Sequence, residues 1–299
     1  MKILIIGSRG FIGSYLEKYF IQVSYDVFGC DIIDDINRKN YIKVETVSPD
    51  YGDLFKNQYD VCINCSGAAN VSKSFENVLY DFELNSVNVI RILDAIRKFN
   101  PQCKLINISS AAVYGNPSML PISEKNETLP VSPYGYHKLI TENIMDEYFQ
   151  LWQIQTCSAR IFSAYGNGLK KQLFYDISKK ILTEKEIHLY GTGRETRDFI
   201  HIDDICFALD CIINNDSFRS SKINVANGEQ ITIKNVINSF TNIWKHNKKI
   251  IFDGFEKKGD PINWCADISI LKSYGYKQNV NINDGIKRYI NWIQGEKLE

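Results

Sequence analysis

Lys2-Ile3-Leu4-Ile5-Ile6-Gly7-Ser8-Arg9-Gly10-Phe11-Ile12-Gly13 begins as a short apolar run and turns into a glycine loop spaced G-x-x-G-x-x-G. The run is rich in β-branched residues and reads as a strand, and residues 14–20 after the loop carry helical spacing. Gly7 permits the tight turn. Gly10 lets backbone N–H groups, with those of Phe11 and Ile12, approach a pyrophosphate at the helix N-terminus, and Gly13 allows close packing of helix on strand. Three glycines alone are weak evidence. A second strand, predicted over 25–30, strengthens them by placing Asp31 where a carboxylate would accept the adenosine ribose hydroxyls.

Such a carboxylate repels a 2′-phosphate, which points to NAD rather than NADP. Arg9, inside the loop, argues the other way, because its guanidinium could reach a 2′-phosphate.

Working outward, apolar runs at 3–6, 25–30, 60–65 and 104–109 alternate with helix-length amphipathic segments. That rhythm predicts an α/β chain with a Rossmann-type doubly wound parallel sheet, covered by helices on both faces. Helices are expected over 76–100, stopped by Asn100-Pro101, and over 134–152. Residues 116–133 carry Pro117, Pro121, Pro130 and Pro133 and read as a long loop. Past residue 166 the elements shorten, with helices near 171–182 and 233–244 and a loop at 191–197. We expect a cofactor domain at 1–165 and a smaller C-terminal α/β substrate domain at 166–299, with segments near 198–228 returning to the first.

The 299 residues suffice for such a pair of domains. Lys plus Arg (35) balance Asp plus Glu (35), so no global field favours nucleic acid or an anionic membrane. The apolar run at 3–6 is too short for a signal peptide or a membrane span, so a cytoplasmic protein is expected. Cys62 and Cys65 form a C-x-x-C inside a strand, where residues three apart point to opposite faces, so neither a redox pair nor a metal site is expected.

Tyr134 and Lys138 are spaced i, i+4, which stacks them on one helix face. An ammonium beside a phenol lowers its pKa from about 10 and fits it to exchange a proton with a substrate hydroxyl or ketone. An exposed pair with no role is the plain alternative. Ser109-Ser110-Ala111-Ala112-Val113-Tyr114-Gly115 decides against it, by ending a strand with hydroxyls at the carboxyl edge where such sheets bind ligands.

Taken in order, the glycine loop, Asp31, Cys65-Ser66-Gly67, Asn85, S-S-A-A-V-Y-G, Ser132-Pro133-Tyr134 with Lys138, Arg160 to Gly166, and Gly191 to Asp204 resemble the extended short-chain dehydrogenase/reductases. The similarity is to their NAD-dependent, nucleotide-sugar-modifying epimerase/dehydratase branch. The resemblance implies Tyr134 as acid/base, Lys138 as ribose-holding and pKa-lowering cation, and Ser110 as substrate hydrogen-bond partner, with Ser109 the nearby alternative. It implies that Cys65, Ser66, Gly67, Asn85 and Ser109 line the cofactor.

In the second domain Arg197 matches the family's pyrophosphate-binding arginine, with a surface salt bridge to Asp198 as the plain alternative. Ser163 stands where such epimerases have Asn, and Lys257, before Gly259-Asp260, where they have a second phosphate-binding Arg. Gln172, with Phe174 and Tyr175, would meet the nucleotide base or simply pack. His201 and Asp203 read as structural. Similar dehydratases carry an acidic residue directly after the catalytic hydroxyl. Ala111 and Ala112 stand there, so elimination lacks its proton carriers. The expected function is an epimerase at C4 of a nucleotide-diphosphate sugar with NAD, the alternative being a 4-keto-sugar reductase. A homodimer is implied by the resemblance.

Overall fold

A computed structural model describes residues 1–47, 49–255 and 259–296. Seven strands form the main sheet: β1 Lys2–Ile6, β2 Asp26–Asp31, β3 Tyr41–Lys43, β4 Val61–Asn64, β5 Lys104–Ser110, β6 Thr156–Ile161 and β7 Arg219–Val225. They lie in the order β3-β2-β1-β4-β5-β6-β7, and each pairing is parallel. The order reverses between β1 and β4, which opens a crevice beyond their carboxyl ends.

Period-two alternation sends β1 into two cores. Ile3 and Ile5 pack with Leu16 and Phe20 of helix Phe11–Gln22 and with helix Ile202–Asn215. Leu4 and Ile6 pack on the other face with Ile92 and Ile96 of helix Asn88–Phe99 and Met145 of helix Pro133–Trp152. A strand buried on both faces must be apolar throughout, which is why the run 3–6 has no polar interruption. A third core joins Phe174, Ile177, Phe199, Phe240 and Tyr289 from helices Gln172–Thr183, Ile233–Trp244 and Ile282–Gly295 and a short strand, Phe199–His201.

The helix expected over 76–100 is broken. Val71–Glu76 ends at Asn77, whose side chain then accepts from Tyr80 N–H at 3.2 Å and starts Val78–Phe82. A π-helical turn, Glu83–Val87, follows before Asn88–Phe99. Asn caps compete with helix continuation, and periodicity alone does not register them. Among the described residues no helix is long and apolar enough to cross a membrane.

Candidate active site

The glycine loop leaves β1 with Gly7 at φ +79°, and a Cβ there would stand 2.6 Å from the Ser66 nitrogen. The loops after β1 and β4 therefore touch at the crevice. A Cβ on Gly13 would meet the Gly7 carbonyl oxygen at 2.2 Å. Helix Phe11–Gln22 starts at Gly10 without a side-chain cap, so its first amides, those of Phe11 and Ile12, remain for an anion.

Asp31 ends β2 and accepts the Arg9 backbone N–H at 2.9 Å and those of Ile32 and Ile33 at 2.8 and 3.3 Å. Its carboxylate ties the loop to the second strand. The Arg9 guanidinium is not free for a 2′-phosphate as its position in the loop suggested: it is bound to Glu17 at 2.5 Å and to Asp35 at 3.1 Å.

Beyond β4, the Ser66 hydroxyl donates to Asn64 at 2.5 Å and accepts from Asn88 at 2.9 Å, so its side chain braces the loop instead of facing a ligand. Asn85 lies in the π-helical turn against Gly67 and is 1% exposed, yet both polar atoms of its side-chain amide lack a partner among the described residues. Buried amides left unmatched are costly, and π-turns concentrate at functional sites. An uncapped helix start, the Asp31 carboxylate and this open amide form a donor and acceptor set suited to a dinucleotide.

Helix Pro133–Trp152 starts where Ser132 accepts from Gly135 N–H at 3.2 Å with Pro133 at the first helical position. Ser74, from the segment after β4, accepts the Tyr134 backbone N–H at 3.2 Å and fixes this start. Sequence reasoning missed Ser74, because only the tertiary fold brings it across. Ser110 is the hydrogen-bonding neighbour that lowers the Tyr134 phenol's pKa, and its Oγ accepts from Ala112 N–H at 3.2 Å.

Lys138 differs from expectation. Its ammonium donates to the Ile108 carbonyl at 2.9 Å and lies 5.8 Å from the centre of the Tyr134 ring, without bonding the phenol. Burial is the dominant influence on both groups. It pushes the Tyr134 phenol up to about 12, against a lowering by Ser110, and pulls Lys138 down to about 8, against support from Asp81. In the free protein Tyr134 is thus a protonated phenol poised to donate. Cys65, half-buried, also faces Lys138, and burial raises its thiol to about 12.

Ser109 points elsewhere. It is 2% exposed and donates to Glu142 at 2.6 Å, and Glu142 takes Arg160 in a two-pronged pair at 2.6 and 3.0 Å. Successive residues of a strand face opposite ways, so only one of the two serines can serve the crevice. Arg160 also donates to Tyr114 at 2.7 Å, which donates to Asn224 at 2.7 Å.

On the second half, Arg197 has no salt bridge among the described residues. It donates to the carbonyls of Thr196 at 2.9 Å and Ile262 at 3.3 Å and stacks over Trp264. The alternative pairing with Asp198 is absent: that carboxylate accepts the amides of Asn227, Gly228 and Ala266, each at 3.0 Å, and joins three segments. Burial lowers the Arg197 pKa, and Asp260 is the foremost charge opposing that shift. Gly259 abuts Val71 and Phe75, and Lys171 donates to the Ala69 carbonyl at 3.3 Å, so these loops reach the segment after β4.

Gln172 begins its helix at φ +66°, an unusual value for a residue with a side chain, and is exposed. Phe174 packs against Tyr165, Phe240 and Tyr289 and cannot meet a base. Tyr175 is half-buried. Ser163 donates its N–H to the Asp198 carbonyl at 3.0 Å. His201 accepts from Asp203 N–H at 3.2 Å, while Asp203 holds Arg288 at 2.9 Å. Lys257 lies outside the described residues.

Known proteins resemble this chain over nearly its whole length. The chain is 29% identical over 307 residues to a putative UDP-glucose 4-epimerase of Methanocaldococcus jannaschii, covering 98% of each. It is 25% identical over 323 residues to the UDP-glucuronate 4-epimerase of Thermodesulfobacterium geofontis, covering 99% of this chain and 97% of the other. The crystal structure of UDP-glucuronic acid 4-epimerase from Bacillus cereus, with UDP-glucuronic acid and NAD, superposes with a TM-score of 0.90 at 25% identity over 98% of this chain and 99% of that one. With the model of that family matching residues 3–226, the chain belongs to the NAD dependent epimerase/dehydratase family.

Proposed function

We propose that this enzyme is an NAD-dependent nucleotide-sugar epimerase that inverts C4 through a transient 4-keto sugar. The observation that carries the reading is the placement of Ser110, at the carboxyl end of β5, beside the Tyr134 phenol, with Lys138 anchored one turn further along the tyrosine's helix. NAD supplies the acceptor and later the donor of a hydride. With the positive charge of a bound nicotinamide beside it lowering its pKa, Tyr134 would act as the phenolate, taking the proton of the C4 hydroxyl as the carbonyl forms and returning it when the turned keto sugar is reduced, while Ser110 bonds the reacting oxygen. Lys138 and Asn85 would hold the nicotinamide ribose side, Asp31 the adenosine ribose, and the amides after Gly10 the pyrophosphate.

Ala111 and Ala112 carry no proton, which leaves elimination without an acid/base pair and argues against a dehydratase. The reductase alternative rests on Arg9 and on a resemblance to 4-keto-sugar reductases, and the first of these supports is weakened because that guanidinium is bound to two carboxylates. The substrate side takes Arg197 as diphosphate clamp, since a guanidinium with no ion pair among the described residues suits two-pronged phosphate contact, together with Ser163, Gln172 and Asp260. A UDP-sugar is favoured because the named relatives carry UDP-sugars in their names. Residues 1–165 and 166–299 would be the cofactor and substrate domains, with 198–228 returning to the first. Exposed Ile90, Tyr136, Ile140 and Leu151 on two adjacent helices suit a homodimer face.

The test is incubation with UDP-, GDP- and dTDP-sugars, including 4-keto forms, with product identity and nicotinamide absorbance followed together. Inversion at C4 without net NADH change is expected. Stoichiometric NAD(P)H consumption by a 4-keto sugar, with no inversion, would sink the epimerase reading in favour of the reductase.

A further inference from the structure

Glu17 lies on helix Phe11–Gln22, directly after the glycine loop, and is 9% exposed. Gly29 on β2 makes room for it: a Cβ there would stand 3.3 Å from Glu17 Oε2 and 2.8 Å from Ser8 Oγ. In this slot Glu17 meets two guanidinium groups. Arg9 donates to Oε2 at 2.5 Å, and Arg38 pairs with Oε1. Asp35 takes the other Arg9 nitrogen at 3.1 Å, and the Tyr41 ring lies 5.1 Å from its guanidinium carbon.

The cluster stands beside Asp31, which accepts the Arg9 backbone N–H. In dinucleotide-binding loops, an arginine near this carboxylate is the group that receives a 2′-phosphate. Two guanidinium groups converging there would make a strong fork for a dianion, because each offers paired N–H donors and a permanent charge. With Glu17 present, those two cations face three carboxylates: Glu17, Asp31 and Asp35. Without it the charges balance, and both guanidinium groups lose a partner they share.

We propose that Glu17 sets cofactor selectivity by masking a two-arginine site, Arg9 with Arg38, that would otherwise take the 2′-phosphate of NADP. The inference rests on the reading that Asp31 marks the adenosine ribose position. Selectivity for NAD is then enforced twice: directly by the Asp31 charge, and indirectly by holding the nearby cations on an internal anion.

Calorimetric titration with adenosine 2′,5′-bisphosphate and with adenosine 5′-monophosphate tests this without catalytic turnover. The wild-type protein should favour the monophosphate. Glu17→Gln should shift the ratio toward the bisphosphate by about tenfold or more, the worth of one or two charge-assisted hydrogen bonds, and adding Arg9→Met should cancel the gain. Asp35→Asn releases one side of Arg9 from a half-exposed loop position and should give a smaller shift in the same direction, which decides the matter should Glu17→Gln fail to fold. An unchanged ratio in the folded variants overturns the proposal. Failure of the wild-type protein to bind either nucleotide overturns the ribose reading and the proposal together.

Discussion

Ser109 and Ser110 are neighbours on β5, yet they belong to two opposite kinds of site. Ser109 enters a closed network in which Glu142, Arg160, Tyr114 and Asn224 satisfy one another, whereas Ser110 meets Tyr134 at the crevice. Helix Pro133–Trp152 serves both, since Tyr134, Lys138 and Glu142 follow at successive i, i+4 positions. The first network spends its hydrogen-bonding capacity on itself and so holds β5, β6 and the helix in register. The second leaves capacity open, and that is where proton exchange can happen. The difference lies in satisfaction, not in residue type.

Breaking the open side has the largest expected effect. Tyr134→Phe should lower turnover by about 10²- to 10⁴-fold while circular dichroism and the melting temperature stay at wild-type values. Near-normal turnover in a folded variant would remove Tyr134 from its role. Breaking the closed side should instead destabilise: Glu142→Ala strands the buried Arg160 and should cost about 3–5 kcal/mol in urea unfolding, with activity per folded molecule little changed.

The two serines sharpen the contrast. Ser110→Ala should slow turnover about 10- to 100-fold, the loss of one hydrogen bond to developing charge, with stability kept. Ser109→Ala should show the inverse, with about 1–3 kcal/mol lost from stability and little change in turnover. Equal kinetic effects from both would erase the distinction.

The smallest effect concerns pH. Lys138 is held at about 8 by burial, with Asp81, bonded to His137 at 2.6 Å, the first charge opposing that shift. An ammonium needed for catalysis is lost as pH rises, so activity should fall on the alkaline side, and Asp81→Asn should move that limb to lower pH. The sign for stability is opposite. A lysine whose folded pKa is depressed penalises folding while it must be charged, so stability relative to Lys138→Met should rise from about pH 8 toward the ordinary lysine pKa near 10.5. A limb that Asp81→Asn leaves in place would detach Asp81 from Lys138.

Much of this was legible in the residues. The strand positions at 2–6, 26–31, 61–64 and 104–110 follow from short β-branched runs, and helix Pro133–Trp152 answers the one expected over 134–152. The single helix expected at 76–100 was not legible as broken, because its apolar periodicity continues across Asn77 and the π-turn around Asn85. Choosing Ser110 over Ser109 was within reach through strand alternation, but the partner that claims Ser109 sits on a helix some thirty residues on.

What the sequence determined by itself are features whose partners lie a few residues away: the glycine turn, the helix over 134–152, and the i, i+4 spacing of Tyr134 and Lys138. What only the tertiary structure decided is which polar groups are already satisfied. Arg9 becomes a bound cation through Glu17 and Asp35, Asp198 becomes a three-way backbone clamp, Lys138 takes the Ile108 carbonyl, and Asn85 is left open. Hydrogen bonds and ion pairs are short-ranged and saturable, so each group's availability depends on neighbours that only folding brings within about 3 Å.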